Sequence, residues 1–362
     1  MVIKRLKIKN FRNYEQLNLA ELDPGINVLF GNNAQGKTNL LEAIYYLSCA
    51  KSFRSGSDAK LIREGCSFSL LSAEYKLASH AGQVEAALLQ NGKKSIKING
   101  MPIRKISEML GVINAVIFAP EDLRTIKESP GLRRRLMDME ISKIRPSYYV
   151  DLQQYLIALK NKNKLLKDHS AKKELIEVYN EALIEYGSRI IQKRSQFIHM
   201  LANYAGMTHT ELSGGEELKI IYRSSVDEKQ ISESLRKKVE SVYQREREVG
   251  ISLVGPHRDD LLILMNQKDA KEYASQGQQR TAMLSIKLAC SEIAHWATGE
   301  SPIILLDDVF SELDKTRRER LLSFVKKNQV FITAADMAGI ESARGRKLFE
   351  VSEGHIFYKK SF

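Results

Sequence analysis

Eight consecutive residues, Gly31, Asn32, Asn33, Ala34, Gln35, Gly36, Lys37 and Thr38, follow the spacing G-x-x-x-x-G-K-[ST] and carry the most specific chemistry in the 362-residue chain. Gly31 and Gly36 free the backbone to curl, so that successive N–H groups turn toward phosphate oxygens. Lys37 supplies a compact positive charge to the β- and γ-phosphates, and the Thr38 hydroxyl is a ligand for Mg²⁺. All eight are candidate contacts for a nucleoside triphosphate. The second half of such a site is expected far downstream, and IILLDDV supplies it: four apolar residues, 303–306, end in Asp307, which belongs beside the metal ion. Asp308 follows, and reads either as a carboxylate that polarises an attacking water or as a strand-end turn residue.

These residues need elements to hold them. The loop sits between a strand, INVLF (26–30), and a helix from Lys37 to about Ala50 whose Leu40, Leu41, Ile44, Tyr45 and Leu47 keep a helical period. The helix adds its positive N-terminal dipole. The rest of the first 120 residues reads as strands with tight turns, including a hairpin over EAALLQNGKKSIKING that turns at Asn91-Gly92. From Pro120 to about Glu248 the pattern becomes helical and amphipathic, with breaks at Asp168-His169-Ser170 and at Gly206. After Gly250 strands and helices alternate again: ISLVGPHRDDLLIL, a helix at about 276–297, IILLDDV, a helix at 315–327 and VFITAA. The expected plan is one α/β domain built from residues 1–119 and 250–362, interrupted by a mostly helical lobe over 120–249.

Charge points to a polyanionic partner. The net charge is +12, and residues 1–119 hold more than half of the excess, with 16 basic against 9 acidic residues. Lys4, Arg5, Lys51, Arg54, Lys93 and Lys94 are candidate phosphate-backbone contacts, with Lys7, Lys9 and Lys97 beside them; a solubilising face is the alternative. Arg133, Arg134 and Arg135 read equally as a DNA contact or a solvated cluster. Cys49, Cys66 and Cys290 lack metal-ligand or C-x-x-C spacing, which suits reduced thiols in a cytoplasmic protein. No apolar run approaches the roughly 20 residues of a membrane helix.

Several strings resemble ABC-type ATPases. Their signature is a serine–glycine turn at a helix N-terminus, shortly before the acidic strand. ELSGGEELK (211–219) matches the usual wording better, but only ASQGQQR (274–280) precedes a helix that leads into IILLDDV. Position selects the second, and Leu212–Glu216 is then expected to be a loop in the insertion. The resemblance implies that Ser275, the Gly277 N–H and Gln278 face the γ-phosphate held by a second subunit, with Gln276 at the same interface. SELD (311–314) resembles the D-loop, which places Ser311 and Asp314 at that interface too. Where many ABC proteins carry a switch histidine, VFITAADM (330–337) offers only Thr333 and Asp336; FAPEDL stands in the Q-loop position without a glutamine.

KNFRNYE resembles the start of ABC-type DNA-repair ATPases, which implies that Arg12 approaches the nucleotide. FRNYEQLNL, AKSFRS, FAPEDLRTIKESPGLRRRLMD, VGPHRDDL and SQGQQRTAMLSIKLA narrow the resemblance to the bacterial RecF family, over nearly the whole chain. The resemblance implies a P-loop ABC-ATPase head with a helical inserted lobe, using ATP and Mg²⁺. It further implies an ATP-dependent homodimer that clamps double-stranded or gapped DNA, works with RecO and RecR to load RecA, and is released by slow hydrolysis. Two other readings stand beside it. A transporter's nucleotide-binding subunit predicts the missing glutamine and histidine. A chromosome-structuring head predicts a long coiled coil, yet the insertion shows no sustained heptads. A small-molecule kinase would need neither SQGQQR nor SELD.

Overall fold

The computed structural model of the chain describes residues 1–20, 22–335 and 346–359. They form two compact units: Met1–Leu123, Met207–Glu216 and Ser275–Phe362 make the first, Arg124–Gly206 and Glu217–Ala274 the second.

The first unit holds two six-stranded sheets. One is antiparallel, in the order Tyr14–Ala20, Val2–Phe11, Phe68–Lys76, Ala81–Leu89, Lys94–Ile98, Met101–Pro102. Its first strand alternates as a half-buried strand must: Ile3, Leu6, Ile8 and Phe11 are buried while Lys4, Lys7 and Lys9 are exposed, with a bulge between Ile3 and Arg5. The hairpin over 81–98 turns as expected, with Gly92 at φ 79° and the Asn91 side chain accepting from the Lys93 N–H.

The other sheet runs His355–Lys359, Lys347–Ser352, Ile26–Phe30, Val330–Ala334, Ile303–Leu306, Ala115–Phe118, and every pair but the first is parallel. A parallel sheet is covered on both faces, which is why IILL is apolar without alternation and wholly buried. The helix Lys37–Cys49 touches strands of both sheets and is buried from Leu40 through Cys49. It is therefore packed nearly all round rather than along one stripe. The helix Gln276–Thr298 packs on the strand Ala115–Phe118.

The second unit is mostly helical. Its helices include Pro130–Ile144, Pro146–Lys167, Ile231–Ser241, Tyr243–Val249 and most of the 41-residue Lys173–Ser213. A three-stranded sheet accompanies them, in the order Lys268–Asp269, Asp260–Met265, Leu218–Arg223.

Three expectations need correction. The return to the α/β unit comes at Ser275 and not at Gly250, because Asp260–Met265 pairs with Leu218–Arg223 instead of joining either large sheet. Gly206 does not break its helix, which continues to Ser213; a Cβ there would come within 3.3 Å of the Leu218 carbonyl, so close packing outweighs the roughly 1 kcal/mol helix penalty of glycine. Leu212–Glu216 is not a loop of the insertion. Leu212 and Ser213 end the long helix, and the segment belongs to the first unit. The break at Asp168–Ser170 does occur, closed by the Asp168 carboxylate accepting from the Ser170 N–H and hydroxyl.

Candidate nucleotide site

The strand Ile26–Phe30 delivers the chain into a loop whose glycines are dictated by contact. Gly31 lies at φ 143°, where a Cβ would sit 2.4 Å from the Val351 carbonyl oxygen; Gly36 lies at φ 116°, where one would meet the Asn13 amide at 2.6 Å. Ala34 adopts φ 64° between them. Gly36 caps the following helix without any side-chain acceptor, so the first N–H groups of that helix stay open to an anion. The Lys37 ammonium donates to the Gly31 and Asn32 carbonyls at 2.5 and 2.8 Å. Burial pushes its pKa down, against the opposing pull of Asp308 and Asp307.

The acid side lies against the same helix. Thr38 Oγ1 donates to Asp307 Oδ1 at 2.8 Å, and Thr333 Oγ1 donates to the same oxygen at 2.8 Å. Burial raises the Asp307 pKa against these two hydrogen bonds. Two oxygen donors of this kind, one hydroxyl and one buried carboxylate, suit a hard cation such as Mg²⁺. Thr333 also accepts from the Asp308 N–H at 2.9 Å, so one buried hydroxyl fixes both acids. Asp308 itself is exposed, at φ 52°.

The family model described as RecF/RecN/SMC N terminal domain matches residues 2–356. Proteins named DNA replication and repair protein RecF match over 98% of this chain and 98% of theirs, at 41% identity in Clostridium beijerinckii and 42% in Bacillus cytotoxicus. The chain belongs to the RecF family. A solved structure of the recombination mediator protein RecF-ATP in the RecFOR pathway superposes with a TM-score of 0.92 at 37% identity, covering 99% of this chain and 97% of that one. The Smc head domain of Pyrococcus furiosus, at 16% identity and a TM-score of 0.58, shares the fold alone. The fold is accordingly the ABC-ATPase head of the RecF family, a family of DNA replication and repair proteins.

Within this RecF-family head, residues outside the motif brace the loop. Asn13 donates to the Gln35 carbonyl at 2.8 Å and accepts from Asn39 at 2.8 Å, and the Tyr14 hydroxyl donates to the Gly36 carbonyl at 3.0 Å. Gln35 turns its side chain away from the loop's interior to accept from the Glu353 N–H at 2.6 Å, so only its backbone is left for phosphate. Sequence reading missed Asn13 and Tyr14, although they adjoin the arginine it singled out. Arg12 itself is committed elsewhere: it donates to both oxygens of the buried Glu42 at 2.8 and 2.9 Å and to the Lys60 carbonyl at 3.0 Å. Glu42 in turn accepts from Ser52, which shapes the AKSFRS loop by accepting from the Arg54 and Ser55 N–H groups.

That loop carries Arg54, which stays exposed, to the neighbourhood of the acid side. Arg54 donates to the Asn39 side chain at 3.2 Å and stands 3.6 Å from Glu121, and both charges are felt at Asp307. Asp122 of FAPEDL pairs with Lys287 at 2.9 Å. Lys94 is likewise engaged, by the Ala50 carbonyl at 2.8 Å and Asp58 at 2.9 Å over the Tyr46 ring. Arg5 pairs loosely with Glu74 at 3.3 Å, while Lys4, Lys51 and Lys93 are exposed.

Ser275, Gln276 and Gly277 are exposed at the start of their 23-residue helix. Ser275 and Gln278 form a capping box, and the Gln278 amide is used at both ends: its oxygen accepts from the Ser275 N–H at 3.0 Å and its nitrogen donates to Glu216 at 2.6 Å. Gln278 therefore supports the turn instead of presenting an amide to a nucleotide. Ser311 and Asp314 are exposed and make local bonds, to the Asp308 carbonyl and from the Arg317 N–H. Asp336 lies outside the described residues.

In the second unit Arg133 and Asp259 turn inward and Arg134 is half-buried, while Arg135 and Arg258 are exposed. Arg133 is buried and bidentate to Asp260 at 2.6 and 2.9 Å, and Arg134 donates to the Asp259 carbonyl at 2.7 Å. Neither is the solvated or DNA-facing group expected from the sequence.

Proposed function

We propose that this chain is an ATP-dependent DNA-binding ATPase of recombinational repair and replication restart. ATP and Mg²⁺ bind at Gly31–Thr38 and Asp307, and the nucleotide of one copy is capped by Ser275 and Gly277 of a second, head to tail. The observation that carries this reading is an exposed serine–glycine turn at the N-terminus of a long helix, in a chain whose own phosphate loop and acid pair are already assembled. Open N–H groups and a helix dipole at that turn suit an anion brought from outside.

Mg²⁺, when bound, would neutralise charge developing on the phosphate oxygens. Thr38 and Asp307 would hold it. Lys37 exchanges its loop carbonyls for β- and γ-phosphate oxygens, and the Gly36-capped helix start supplies N–H donors. Asp308, exposed and held by Thr333, orients the attacking water. Its side chain is one methylene shorter than glutamate, so hydrolysis is slow and acts as a timer. The dimer grips double-stranded or gapped DNA through exposed lysines that include Lys4, Lys51 and Lys93, and works with RecO and RecR to load RecA.

Sedimentation with and without ATP tests this on wild type, Lys37→Met and Ser275→Arg, repeated with duplex DNA. Wild type alone forms ATP-dependent dimers. Lys37→Met loses nucleotide affinity, whereas Ser275→Arg binds ATP and stays monomeric. Affinity for DNA falls steeply with salt. A Ser275→Arg protein that dimerises like wild type overturns the reading.

A further inference from the structure

The ELSGGE string is left without a task by the reading above, and its contacts assign one. The helix Lys173–Ser213 ends there, with the Gly214 and Gly215 N–H groups donating to the Thr210 carbonyl at 3.1 and 2.9 Å and the Glu216 N–H to Ser213 Oγ at 3.0 Å. Two other helices bond to this end. Arg320, in the helix Lys315–Phe324 that follows Ser311–Asp314, donates to the Glu211 and Leu212 carbonyls at 2.8 and 3.3 Å, a cation on a helix C-terminus. Gln278, in the helix behind Ser275, donates to Glu216 at 2.6 Å, and one turn back on the long helix His209 Nδ1 stands 3.2 Å from Ser285 Oγ of that same helix.

The Glu216 bond reaches the exposed turn directly. The amide it holds is the one whose oxygen accepts from the Ser275 N–H, so the rotamer of Gln278 sets where that turn points. The second Glu216 oxygen is buried without a hydrogen-bond partner among the described residues. It faces His209 Nε2 at 3.7 Å, beyond hydrogen-bond reach, and that nitrogen is unpartnered as well. The side chain is partly exposed, but leaving one of its oxygens buried and unsatisfied costs stability. The helix that ends here has its first residues in the second compact unit and its last, from Met207, in the first.

We propose that Met207–Glu216 is a positioning element for the dimer contacts, with Glu216 and Arg320 as positioning residues that aim the Ser275 turn and the Ser311–Asp314 turn toward the second subunit. The proposal rests on the head-to-tail reading. It assigns the long helix a further role: what happens along its length reaches both interface turns at once.

The test separates nucleotide binding from dimerisation in Glu216→Ala, Glu216→Gln and Arg320→Met. Affinity for a fluorescent ATP analogue is measured on dilute monomer, dimerisation by sedimentation velocity with ATP, and folding by thermal melt. Glu216→Ala and Arg320→Met keep ATP affinity within about twofold, and their dimers weaken about tenfold or more, the range for a charge-assisted hydrogen bond. Glu216→Gln regains most of the loss, because its amide oxygen still accepts from Gln278. Folded Glu216→Ala and Arg320→Met proteins that dimerise as tightly as wild type overturn the proposal. So does a parallel loss of ATP affinity and dimerisation. If Glu216→Ala does not fold, Arg320→Met decides. A wild type that never dimerises with ATP defeats the head-to-tail reading itself, a distinct outcome.

Discussion

Charged residues gather at two places in this molecule and are treated in opposite ways. At the phosphate loop, among the described residues, Lys37 and Asp307 stand in no ion pair: Lys37 is satisfied by backbone carbonyls and Asp307 by two hydroxyls. In the helical unit charged residues neutralise one another. Lys162 and Glu246 pair at 2.6 Å with both side chains wholly buried, Arg194 pairs with Asp138 at 2.8 Å and reaches the Pro256 carbonyl at 2.6 Å, and Arg133 pairs with Asp260. His257 completes the group, 2.6 Å from the Tyr155 hydroxyl through Nδ1 and 3.2 Å from the Ser252 carbonyl through Nε2. As strings of letters, GNNAQGKT spells a phosphate loop, whereas GPHRDD reads equally as an ion-pair corner or a functional contact. Compensation is what separates a site from a scaffold.

That contrast breaks if removing a charge in the helical unit is harmless. Lys162→Met strands Glu246 in the interior and is expected to cost about 3–5 kcal/mol in urea unfolding, while Lys162→Met with Glu246→Leu regains most of it. Next in size is a pH effect. Burial lowers the His257 pKa to about 4, below its ordinary 6.5. The unfolded chain therefore binds the extra proton first, and stability complete above pH 6.5 drains away as pH falls toward 4, by up to about 3 kcal/mol. His257→Asn should flatten that part of the pH profile; an unchanged slope removes the histidine from the account. At the loop, Asn13→Ala should weaken ATP binding severalfold through a slackened backbone, about 1 kcal/mol for a lost neutral hydrogen bond. The smallest effect sharpens the comparison most. Without nucleotide, Lys37→Met should change unfolding stability by less than about 1 kcal/mol, because desolvation of the cation opposes the pull of Asp308 and Asp307 and leaves little net gain.

Much of this was legible in the sequence. GNNAQGKT between INVLF and its helix, and IILL ending in Asp307, announce a buried parallel sheet with a phosphate loop, because apolar runs and glycine spacing are local signals. The helix expected at about 276–297 is present as Gln276–Thr298, and the turn at Ser275 before it is exposed. What the sequence hid is set by distant contact. Arg12 is held by Glu42, thirty residues on, and the Gln35 side chain by the Glu353 N–H more than three hundred residues on. The domain limits shifted for the same reason: Asp260–Met265 has the composition of any strand, and only its partner Leu218–Arg223 assigns it to the helical unit.

The phosphate loop hangs from Ile26–Phe30, yet both neighbours of that strand, Val330–Ala334 and Lys347–Ser352, arrive some three hundred residues later. On a translating ribosome the motif emerges early and must then wait, roughly 15–60 s at ordinary elongation rates, before a sheet exists to hold it. A nascent chain stalled before Val330 should therefore be blind to ATP, however intact its Lys37.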